Sequence, residues 1–494
     1  MSYFDRATPP TRESRLASCI TYGGTICGLA GKGRRSCLEN AERSFSQGSI
    51  CLLLPALGII NSLPDTAVLI HGAVGCGTVT HSQNCIVRMG SAARHGKARD
   101  VLWFTTALQE LDVVNGGERR LEDAIREIDR EHSPKFLVVV TTCIPGIIGD
   151  DVDTLVERIA PEIKARMLPV HCEGFKTSIW ATAYDAVYHT IGRNLLEPPE
   201  GELTSGPNPR LVNLMNVSSM GRPDELELER LLRALGLEVN IFPVFADPGG
   251  MHRATRAALS VSTCPTHDDY FLKHLRERYG IPFSIRHMPI GIANTALWLR
   301  DIASYLGLKD EVERVIARET AHLQAALEPL LPLFQGKRAF IAAGEMRALA
   351  NGTLLRELGF EITGMRTFHH DEFAEGEYEK LAADGSDFVV NIADCQPFEE
   401  ANLLRRLKPD VFMGHVNANS TAARMGIPTV AIYQVGMHFV GYRGVYELAR
   451  RLHRQIRNPS FNQRLAEHVR LCYREEWYRR DPFSHIQRRG EDQL

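Results

Sequence analysis

Four cysteines of this sequence stand where a thiolate could bind a metal cluster: Cys51, Cys76, Cys143 and Cys264. Cys76 lies in the glycine-rich turn "GAVGCG", Cys143 begins the turn "CIPGIIGDD", and Cys264 follows the apolar run "ALSVST". Glycines let the backbone approach sulfur closely and donate N–H groups to it, which suits an iron–sulfur cluster. A single buried cysteine is more often a small hydrophobic residue, so this chemistry requires that several of them act together.

The local spacing of the cysteines excludes the simpler metal sites. The sequence has no Cys-x-x-Cys pair and no ferredoxin-type run, so neither a zinc site nor a cluster bound by one short segment is expected. The glycines of "VLIHGAVGCGTV" (68–79) are typical of a phosphate loop, but the stretch lacks the Lys-Ser/Thr ending of a P-loop. Any cluster must therefore be bound by separate segments.

Short apolar runs of the kind that form buried parallel strands precede two of these cysteines. "DTAVLI" (65–70) lies before Cys76, and "FLVVVTT" (136–142) lies directly before Cys143. Between them, residues 116–132 carry apolar side chains at helical spacing, which predicts a crossover helix. Ligands of doubly wound folds bind beyond the carboxyl ends of the strands, which is where these two cysteines are predicted to lie.

The remaining chain continues the alternation of strands and helices. A second block opens with "RLVNLMNVS" (210–218) after a Pro/Gly/Ser-rich linker (197–210), and a third opens with "KRAFIAAG" (337–344). The third block then alternates predicted helices and strands at 346–358, 360–367, 372–384, 387–393, 397–407, 409–414 and 429–433. This pattern predicts an α/β fold with three doubly wound (Rossmann-like) parallel-sheet domains around a central metallocluster pocket.

The predicted domain boundaries follow from these blocks. We assign a first α/β domain to 46–200, a second, which carries Cys264, to 208–335, and a third with C-terminal helices to 336–494. Residues 1–45 are polar and rich in Gly and Ser, so we expect an extension that wraps a neighbour or is loosely ordered.

The overall composition excludes several classes of partner. The chain has 494 residues, 44% of them hydrophobic, and a formal net charge of -3, which argues against a nucleic-acid or membrane partner. No apolar run reaches the roughly 18 residues that span a bilayer, and the N-terminus lacks the apolar core of a signal peptide. We therefore expect a cytoplasmic protein whose eleven cysteines are reduced thiols.

Several separated motifs resemble the catalytic-component family of nitrogenases in order and spacing. They are "HGAVGCG", "TTCIPGIIGDD", "PVHCEGF", "STCPTHDDYFLKHLRERYGIPF" and "MGIPTVAIY", within a match from about 48 to 452. The resemblance is greatest to the α-type subunit, because Cys264 stands where that subunit has the cysteine ligand of its large catalytic cluster.

The resemblance implies the cofactors and the partners. Cys51, Cys76 and Cys143 match the thiolates of a P-type 8Fe-7S cluster shared with a β-type subunit in an α2β2 heterotetramer. Cys264 and His438 are expected to bind a large Fe–S cofactor, although an ungapped match places Gln434 at the histidine ligand of the family. Electrons would come from a separate iron-protein reductase, which uses the ATP, and pass through the P-type cluster to the large cofactor.

Departures from the nitrogenase pattern lie around the second cluster. Trp180 and Tyr184 replace a glutamine and a histidine of nitrogenases, which makes the expected pocket more apolar and better suited to an organic substrate. Asn417 and Asn419 stand where the family has a lysine that helps to hold homocitrate. The resemblance thus implies an all-iron cofactor without homocitrate.

Two further groups match residues that lie near the cofactor in the family. His369 and His370 follow a strand of the third block, with an alternative interpretation as polar loop residues beside acidic ones. Arg347 matches an arginine that faces the cofactor sulfides and could donate charge-assisted hydrogen bonds, or it is an exposed arginine at a helix start.

The other candidate residues are interpreted as structural. Four cysteines are assigned to packing, namely Cys172, Cys85, Cys395 and Cys472. His267, Asp268 and Asp269 are expected to cap the helix that follows Cys264.

Within the family, the departures favour the methylthio-alkane reductases. The resemblance then implies reductive C–S cleavage of a small organic sulfur compound, such as 2-methylthioethanol or dimethyl sulfide, to a hydrocarbon and methanethiol. A cofactor-assembly scaffold and a true nitrogenase α subunit remain alternatives. Tetrapyrrole reductases of the superfamily fit less well, because they lack the large-cluster cysteine, and a glycosyltransferase-like enzyme would leave the cysteines without a function.

Overall fold

Three mainly parallel sheets form the fold and confirm the predicted class. In each, helices alternate with the strands along the chain. The computed structural model describes residues 3–32, 40–45, 51–196, 208–217, 220–286, 288–394 and 396–488. Among these residues, no helix is both long enough and apolar enough to cross a bilayer.

The first sheet contains the strands predicted around the first cysteines. Its order is Leu102–Thr105, Thr66–His71, Phe136–Thr141 and Arg166–His171, all parallel. The strand Thr66–His71 is buried along its whole length, as its unbroken apolar run predicts. The helices are Leu53–Ile60, Val74–Thr80, Gln83–His95, Glu110–Asn115, Glu118–His132, Cys143–Ile148, Val152–Ile159 and Thr182–Asn194.

The second sheet carries the helix that begins after Cys264. Its order is Phe283–Ser284, Ala257–Val261, Asn208–Asn216 and Glu238–Pro243, again all parallel. The helices are Arg222–Ala234, Pro248–Ala254, Pro265–Tyr279, Ile292–Leu306 and Lys309–Leu327.

The third sheet has a parallel core with one antiparallel edge. From that edge the strands are Tyr22–Thr25, Val389–Ile392, Glu361–Thr367, Arg338–Ala343, Val411–Gly414 and Thr429–Ala431. The strand Arg338–Ala343 pairs on one side with Glu361–Thr367 and on the other with Val411–Gly414, and both of these strands follow it in sequence. Because the strand order reverses at this point, a crevice lies beyond its carboxyl end. The helices are Glu345–Glu357, Glu375–Ala382, Pro397–Leu407, Val416–Arg424, Gly441–Arg457, Ser460–His468 and Glu475–Arg479.

The N-terminal segment belongs to the body of the protein. A short helix, Arg12–Leu16, precedes the edge strand Tyr22–Thr25, and the helix Ile26–Lys32 follows it. The strand Asn40–Arg43 pairs with Ile486–Arg488. The segment therefore wraps its neighbours, and the alternative of loose order is wrong for the residues that the structure describes, because their backbone groups complete existing sheets.

Candidate functional site

Cys76 and Cys143 lie beyond the carboxyl ends of two paired strands of the first sheet. Cys143 is the first residue of the helix Cys143–Ile148, directly after Phe136–Thr141, and Cys76 lies in the helix Val74–Thr80 after Thr66–His71. Because both strands run parallel and in register, both sulfurs come to the same edge of the sheet.

Cys51 lies just before the helix Leu53–Ile60 and close enough to Cys76 and Cys143 for their sulfurs to act on it. Burial raises the pKa of the Cys51 thiol, and the neighbouring sulfurs of Cys143 and Cys76 raise it further. Burial likewise raises the pKa of Cys76, with a further contribution from Cys143. The structure thus brings together the three thiols that the sequence predicted, in surroundings where only a cation such as iron would favour the thiolates.

The surroundings of these thiols leave room for a bound group. A Cβ atom added to Gly174 would lie 3.5 Å from Cys143 Sγ, and one added to Gly75, next to Cys76, would meet nothing within 4 Å. Within the described ranges, no three His, Cys, Asp or Glu residues converge on a single ion. Cysteines that bind different irons of one cluster do not have to converge, so this donor set fits an iron–sulfur cluster.

A partly exposed ion-pair network around the buried Glu173 lies near Cys143. His171 Nε2 lies 3.1 Å from Asp153 Oδ2, and His171 Nδ1 lies 3.3 Å from Glu173 Oε1. Burial opposes protonation of the imidazole, but the two carboxylates raise the pKa of His171 to about 9. Lys176 lies 3.0 Å from the same Glu173 oxygen, so the network carries charge of both signs beside the cysteine.

We expect His171 to make stability depend on pH. Its folded pKa of about 9 exceeds the usual 6.5, so its contribution is fully present below pH 6.5 and is lost as the pH rises through 9. The shift corresponds to at most about 3 kcal/mol. The thermal midpoint of cluster-free His171→Gln should therefore change less between pH 6.5 and 9 than that of the wild type. His95→Gln, an exposed histidine of the same domain, is the control, and equal slopes in all three proteins would contradict the prediction.

An apolar surface surrounds the three cysteines. The helices that carry or adjoin them expose large hydrophobic side chains, which are Val74, Val79, Leu111, Val114, Ile147 and Phe175. Several large apolar side chains exposed near one site are typical of a protein–protein interface.

Cys264 marks a second site, at the carboxyl end of the strand Ala257–Val261. It is buried and forms the N-cap of the helix Pro265–Tyr279. Burial raises the pKa of its thiol to about 12, Asp268 acts in the same direction, and Arg347 opposes them. The backbone N–H groups of Cys264 and Thr263 donate to Asp268 Oδ2 at 3.2 and 3.0 Å, so Asp268 holds the start of this helix as predicted.

The two residues beside Asp268 have other roles than helix capping. Neither ring nitrogen of His267 has a hydrogen-bond partner in the described part of the chain, and the ring lies 4.1 Å from that of Tyr184. Asp269 forms buried ion pairs with Arg12 and Arg15. The capping prediction is wrong for both, because position near a helix start does not fix the direction in which a side chain points.

An aromatic wall connects the residues predicted around the cofactor. The ring of Trp180 lies 5.7 Å from that of Tyr184, 5.5 Å from that of Phe368 and 6.2 Å from that of His369, all edge-on. Trp180 Nε1 and His369 Nδ1 are buried, and neither has a hydrogen-bond partner among the described residues. Tyr184, through its contact with His267, joins this wall to the helix that follows Cys264.

His370 belongs to a buried hydrogen-bond network. Its Nδ1 lies 2.8 Å from Glu345 Oε1, to which the Tyr378 hydroxyl also donates at 2.9 Å. Burial alone would lower the pKa of His370, but Glu345 raises it above the usual value. His369 and His370 are both buried after the strand Glu361–Thr367, and both lie beside acidic groups, which agrees with their alternative interpretation as polar loop residues beside acidic ones. Glu345, which orients His370, was not predicted.

Arg347 is buried, and the sequence analysis missed a histidine near it. Arg347 Nη1 donates to the carbonyl of Ile432 at 3.3 Å, so the interpretation as an exposed arginine is wrong. His415 follows the strand Val411–Gly414, and its ring stacks at 5.9 Å on Phe368. Burial, with Arg347 and Arg366, lowers the pKa of His415 to about 3. The signal was available: a histidine directly after a strand, like the cysteines.

The predicted ligand His438 lies before the helix Gly441–Arg457. The charged groups that act on it include Glu227 and Arg443, and its carbonyl accepts a hydrogen bond from Arg451 Nη2 at 2.6 Å. Its Nδ1 is buried with no hydrogen-bond partner among the described residues, whereas Gln434 is exposed. His438 therefore stays a prediction as a ligand.

The predicted asparagines lie at the start of the helix Val416–Arg424. Asn419 Nδ2 donates to the carbonyl of Gly414 at 3.0 Å, and its Oδ1 is buried without a hydrogen-bond partner in the described ranges. The side chain of Asn417 lies outside the described residues.

Two of the four cysteines that were assigned to packing do not lie in the core. Cys172 is buried in an apolar cluster as predicted, but Cys85 and Cys472 are exposed, because the helix and loop that carry them lie at the surface. Cys395 lies outside the described residues. Cys19 is disulfide-bonded, so the expectation of reduced thiols throughout is wrong, since spacing does not show which sulfurs the fold brings together.

Comparison with known proteins gives one family over most of the chain. Residues 51–457 match the family model for nitrogenase component 1 type oxidoreductases. The chain is 28% identical over 440 residues to a nitrogenase iron-molybdenum cofactor biosynthesis protein NifE from Rippkaea orientalis, covering 87% of this chain and 89% of the relative. It is 25% identical over 470 residues to a nitrogenase molybdenum-iron protein alpha chain from Methanosarcina barkeri, covering 83% and 86%. The solved structure "Nitrogenase Cp1 at pH 5" matches with a TM-score of 0.71 at 23% identity, over 85% of this chain and 91% of that one, which shows a shared fold.

Proposed function

This chain belongs to the nitrogenase component 1 type oxidoreductases, and we propose that it is the α-type subunit of a reductase that cleaves the C–S bond of small organic sulfur compounds. For a methyl thioether, the reaction takes up two electrons and two protons, breaks one C–S bond and releases methanethiol. Dimethyl sulfide would give methane, and 2-methylthioethanol, whose C–O bond would break as well, would give ethylene and water. An ATP-dependent iron protein would supply the electrons.

The aromatic wall beside Cys264 is the observation that carries this proposal. Trp180 contacts the rings of Tyr184 and Phe368 edge-on, and beside these rings His267 and Nδ1 of His369 have no hydrogen-bond partner among the described residues. Apolar walls with few polar groups suit a thioether, because they exclude water and pack against its methyl groups. The same walls suit dinitrogen reduction less well, since that reaction needs proton-relaying side chains close to the substrate.

The residues around Cys264 fit a large iron–sulfur cofactor. Cys264 would bind it by sulfur, and burial keeps His267 neutral, with its pKa well below the usual value, so that a ring nitrogen has a free lone pair. His267 is thus a donor beside Cys264, in addition to the predicted His438. When bound, the cofactor would supply the reducing electrons. Arg347, whose charge acts on Cys264, would stabilise its negative charge.

The metal content and the second cluster form part of the same proposal. The asparagines in place of a homocitrate-binding lysine favour an all-iron cofactor. Cys51, Cys76 and Cys143 would bind a P-type cluster together with a β-type partner, for which the apolar surface around them provides an interface.

We expect the anaerobically purified complex to release hydrocarbon and methanethiol from thioethers. With the iron protein, ATP and a strong reductant, 2-methylthioethanol should give ethylene in many turnovers per complex, measured by gas chromatography. Omission of ATP is the control. Stoichiometric molybdenum or vanadium in elemental analysis would overturn the all-iron cofactor, and ammonia formation without hydrocarbon would overturn the substrate.

A second candidate function is a scaffold for cofactor assembly. The 28% identity to proteins named as cofactor biosynthesis protein NifE favours it. A scaffold must release its cofactor, however, whereas Cys264 and the histidines here are buried, which favours retention. A scaffold would transfer its iron cluster to an acceptor protein and release no hydrocarbon, so the same assay distinguishes the two.

A further inference from the structure

Residues 11–19 of the N-terminal segment contact four separate segments around the site at Cys264. We call this segment the N-terminal strap. Its polar groups reach the loop before Trp180, the helix Thr182–Asn194, the helix Pro265–Tyr279 and the segment at His370. These segments carry the aromatic wall, Cys264 and the two histidines, and they come from all three domains.

Glu13 fixes the loop that leads to Trp180. Its carboxylate accepts hydrogen bonds from the Thr177 hydroxyl, at 2.8 Å to Oε1, and from the backbone N–H of Ser178 at 2.7 Å. A carboxylate that binds a backbone N–H makes a strong, charge-assisted hydrogen bond. The position of the Trp180 ring therefore depends on the strap.

Arg12 and Arg15 join the two helices that carry Tyr184 and His267. Arg12 Nη2 lies 2.8 Å from Asp185 Oδ1 and 3.4 Å from Asp269 Oδ1, and Arg15 pairs with both carboxylates as well. Although burial opposes ionisation, Arg15 and Arg12 hold the pKa of Asp269 below its usual range. Without the strap, Asp185 would lose its ion pairs with both arginines, and Asp269 would keep only its pair with Lys273, at 3.3 Å.

The strap also reaches the third domain and the interior of the site. The backbone groups of Cys19 and His370 exchange two hydrogen bonds, at 3.0 and 2.8 Å. Arg12 is fully buried, and its Nε and Nη1 have no hydrogen-bond partner in the described part of the chain. Burial and Arg347 lower the pKa of His267, and the charge of Arg12 lowers it further. Burial raises the pKa of Asp371, but His369 and then Arg12 lower it. Arg12 thus carries two buried nitrogens that have no partner among the described residues.

We propose that the N-terminal strap is the positioning element of the site around Cys264. Its arginines and Glu13 hold the aromatic wall and the helix of Cys264 in the arrangement that receives the large cofactor, and they close the site. The strap is held by polar contacts beside site residues, so its loss would open this site and leave the rest of the fold in place. The cofactor at Cys264 rests on the proposed function, but the positioning is a property of the cofactor-free chain.

Alkylation of Cys264 in cluster-free protein tests this proposal. The rate of iodoacetamide modification is measured by peptide mass spectrometry for wild type, Glu13→Gln and Arg15→Gln. We expect both variants to modify Cys264 at least tenfold faster, and Cys172, a buried cysteine without a strap contact, to react at the wild-type rate. The conservative variant Arg15→Lys should keep most of the wild-type protection.

Arg94→Gln is the matched control, because Arg94 forms a buried ion pair with Glu225 and its other contacts are with Gly90 and Phe245, outside the strap. An unchanged Cys264 rate in both strap variants would overturn the proposal, and so would an equal acceleration at Cys172, which would indicate general loosening. Glu13 is only partly buried, so Glu13→Gln is expected to fold. A protein that fails to cleave thioethers but shows the selective Cys264 effect would refute the proposed function and support the strap.

Discussion

Replacing Cys264 by alanine is expected to remove the large cofactor and to leave the shared cluster in place. Cys264 is buried, the charge of Arg347 acts on its thiol, and His267 follows it in the same helix, so its sulfur is the one that we propose as the ligand of the large cofactor. Iron per complex should fall to the content of the P-type clusters. Hydrocarbon release should fall by more than about a hundredfold, since even the loss of a residue that only hydrogen-bonds to a metal ligand costs about 10–100-fold.

The matched control is Cys172→Ala. Cys172 is as buried as Cys264, and removing its sulfur costs a similar packing energy of about 1 kcal/mol, but we assign no ligand role to it. It should keep its iron and its activity. Full iron content in the Cys264 variant would contradict the ligand assignment, whereas equal losses in both variants would show that folding and not ligation was affected.

Much of the fold could be predicted because its signals are local. The strands Thr66–His71 and Phe136–Thr141 are unbroken apolar runs, and the crossover helix Glu118–His132 has a clear helical period. The N-terminal strap gave no such signal. Its order depends on ion pairs with Asp185 and Asp269, more than a hundred positions away, and no local pattern encodes such contacts.

Site residues could be predicted from the sequence where the residue type itself carries the chemistry. They were missed where the role of a side chain depends on its direction and its partners in three dimensions. Cysteines and histidines after strands could be identified, and the structure brings Trp180, Tyr184 and His369 together. His267 was assigned to a helix cap, because sequence cannot show that its ring turns toward Tyr184. Glu345 and Arg12 act through partners from other segments, so they became visible only in three dimensions.

The site around Cys76 and the site around Cys264 differ in how far they depend on the proposed partner subunit. Cys51, Cys76 and Cys143 are exposed or partly exposed near exposed apolar side chains, whereas Cys264 is buried within this chain. In the proposed assembly, the first site would be completed by the partner, and the second would not need it. The two sites should respond differently to loss of the partner.

Replacing Cys76 by alanine is expected to disturb both the shared cluster and the association with the β-type partner. Cys76 lies in the helix Val74–Thr80, whose exposed residues Val74 and Val79 contribute to the apolar surface. A cluster bound from both chains would link them covalently through iron, so losing one ligand should weaken the assembly. Native mass spectrometry should show the α2β2 form replaced in large part by separate chains, and iron should fall by the content of the P-type cluster.

Cys85→Ala is the matched control for this variant. Cys85 is an exposed cysteine in the next helix, and its thiol donates to the carbonyl of Ser82 at 2.9 Å. It should assemble and bind iron as the wild type does. The cofactor at Cys264 should survive in the Cys76 variant, since that site is enclosed by this chain. A fully assembled, fully iron-loaded Cys76→Ala complex would show that the three thiols do not bind a shared cluster, and the exposed apolar surface would then need another partner.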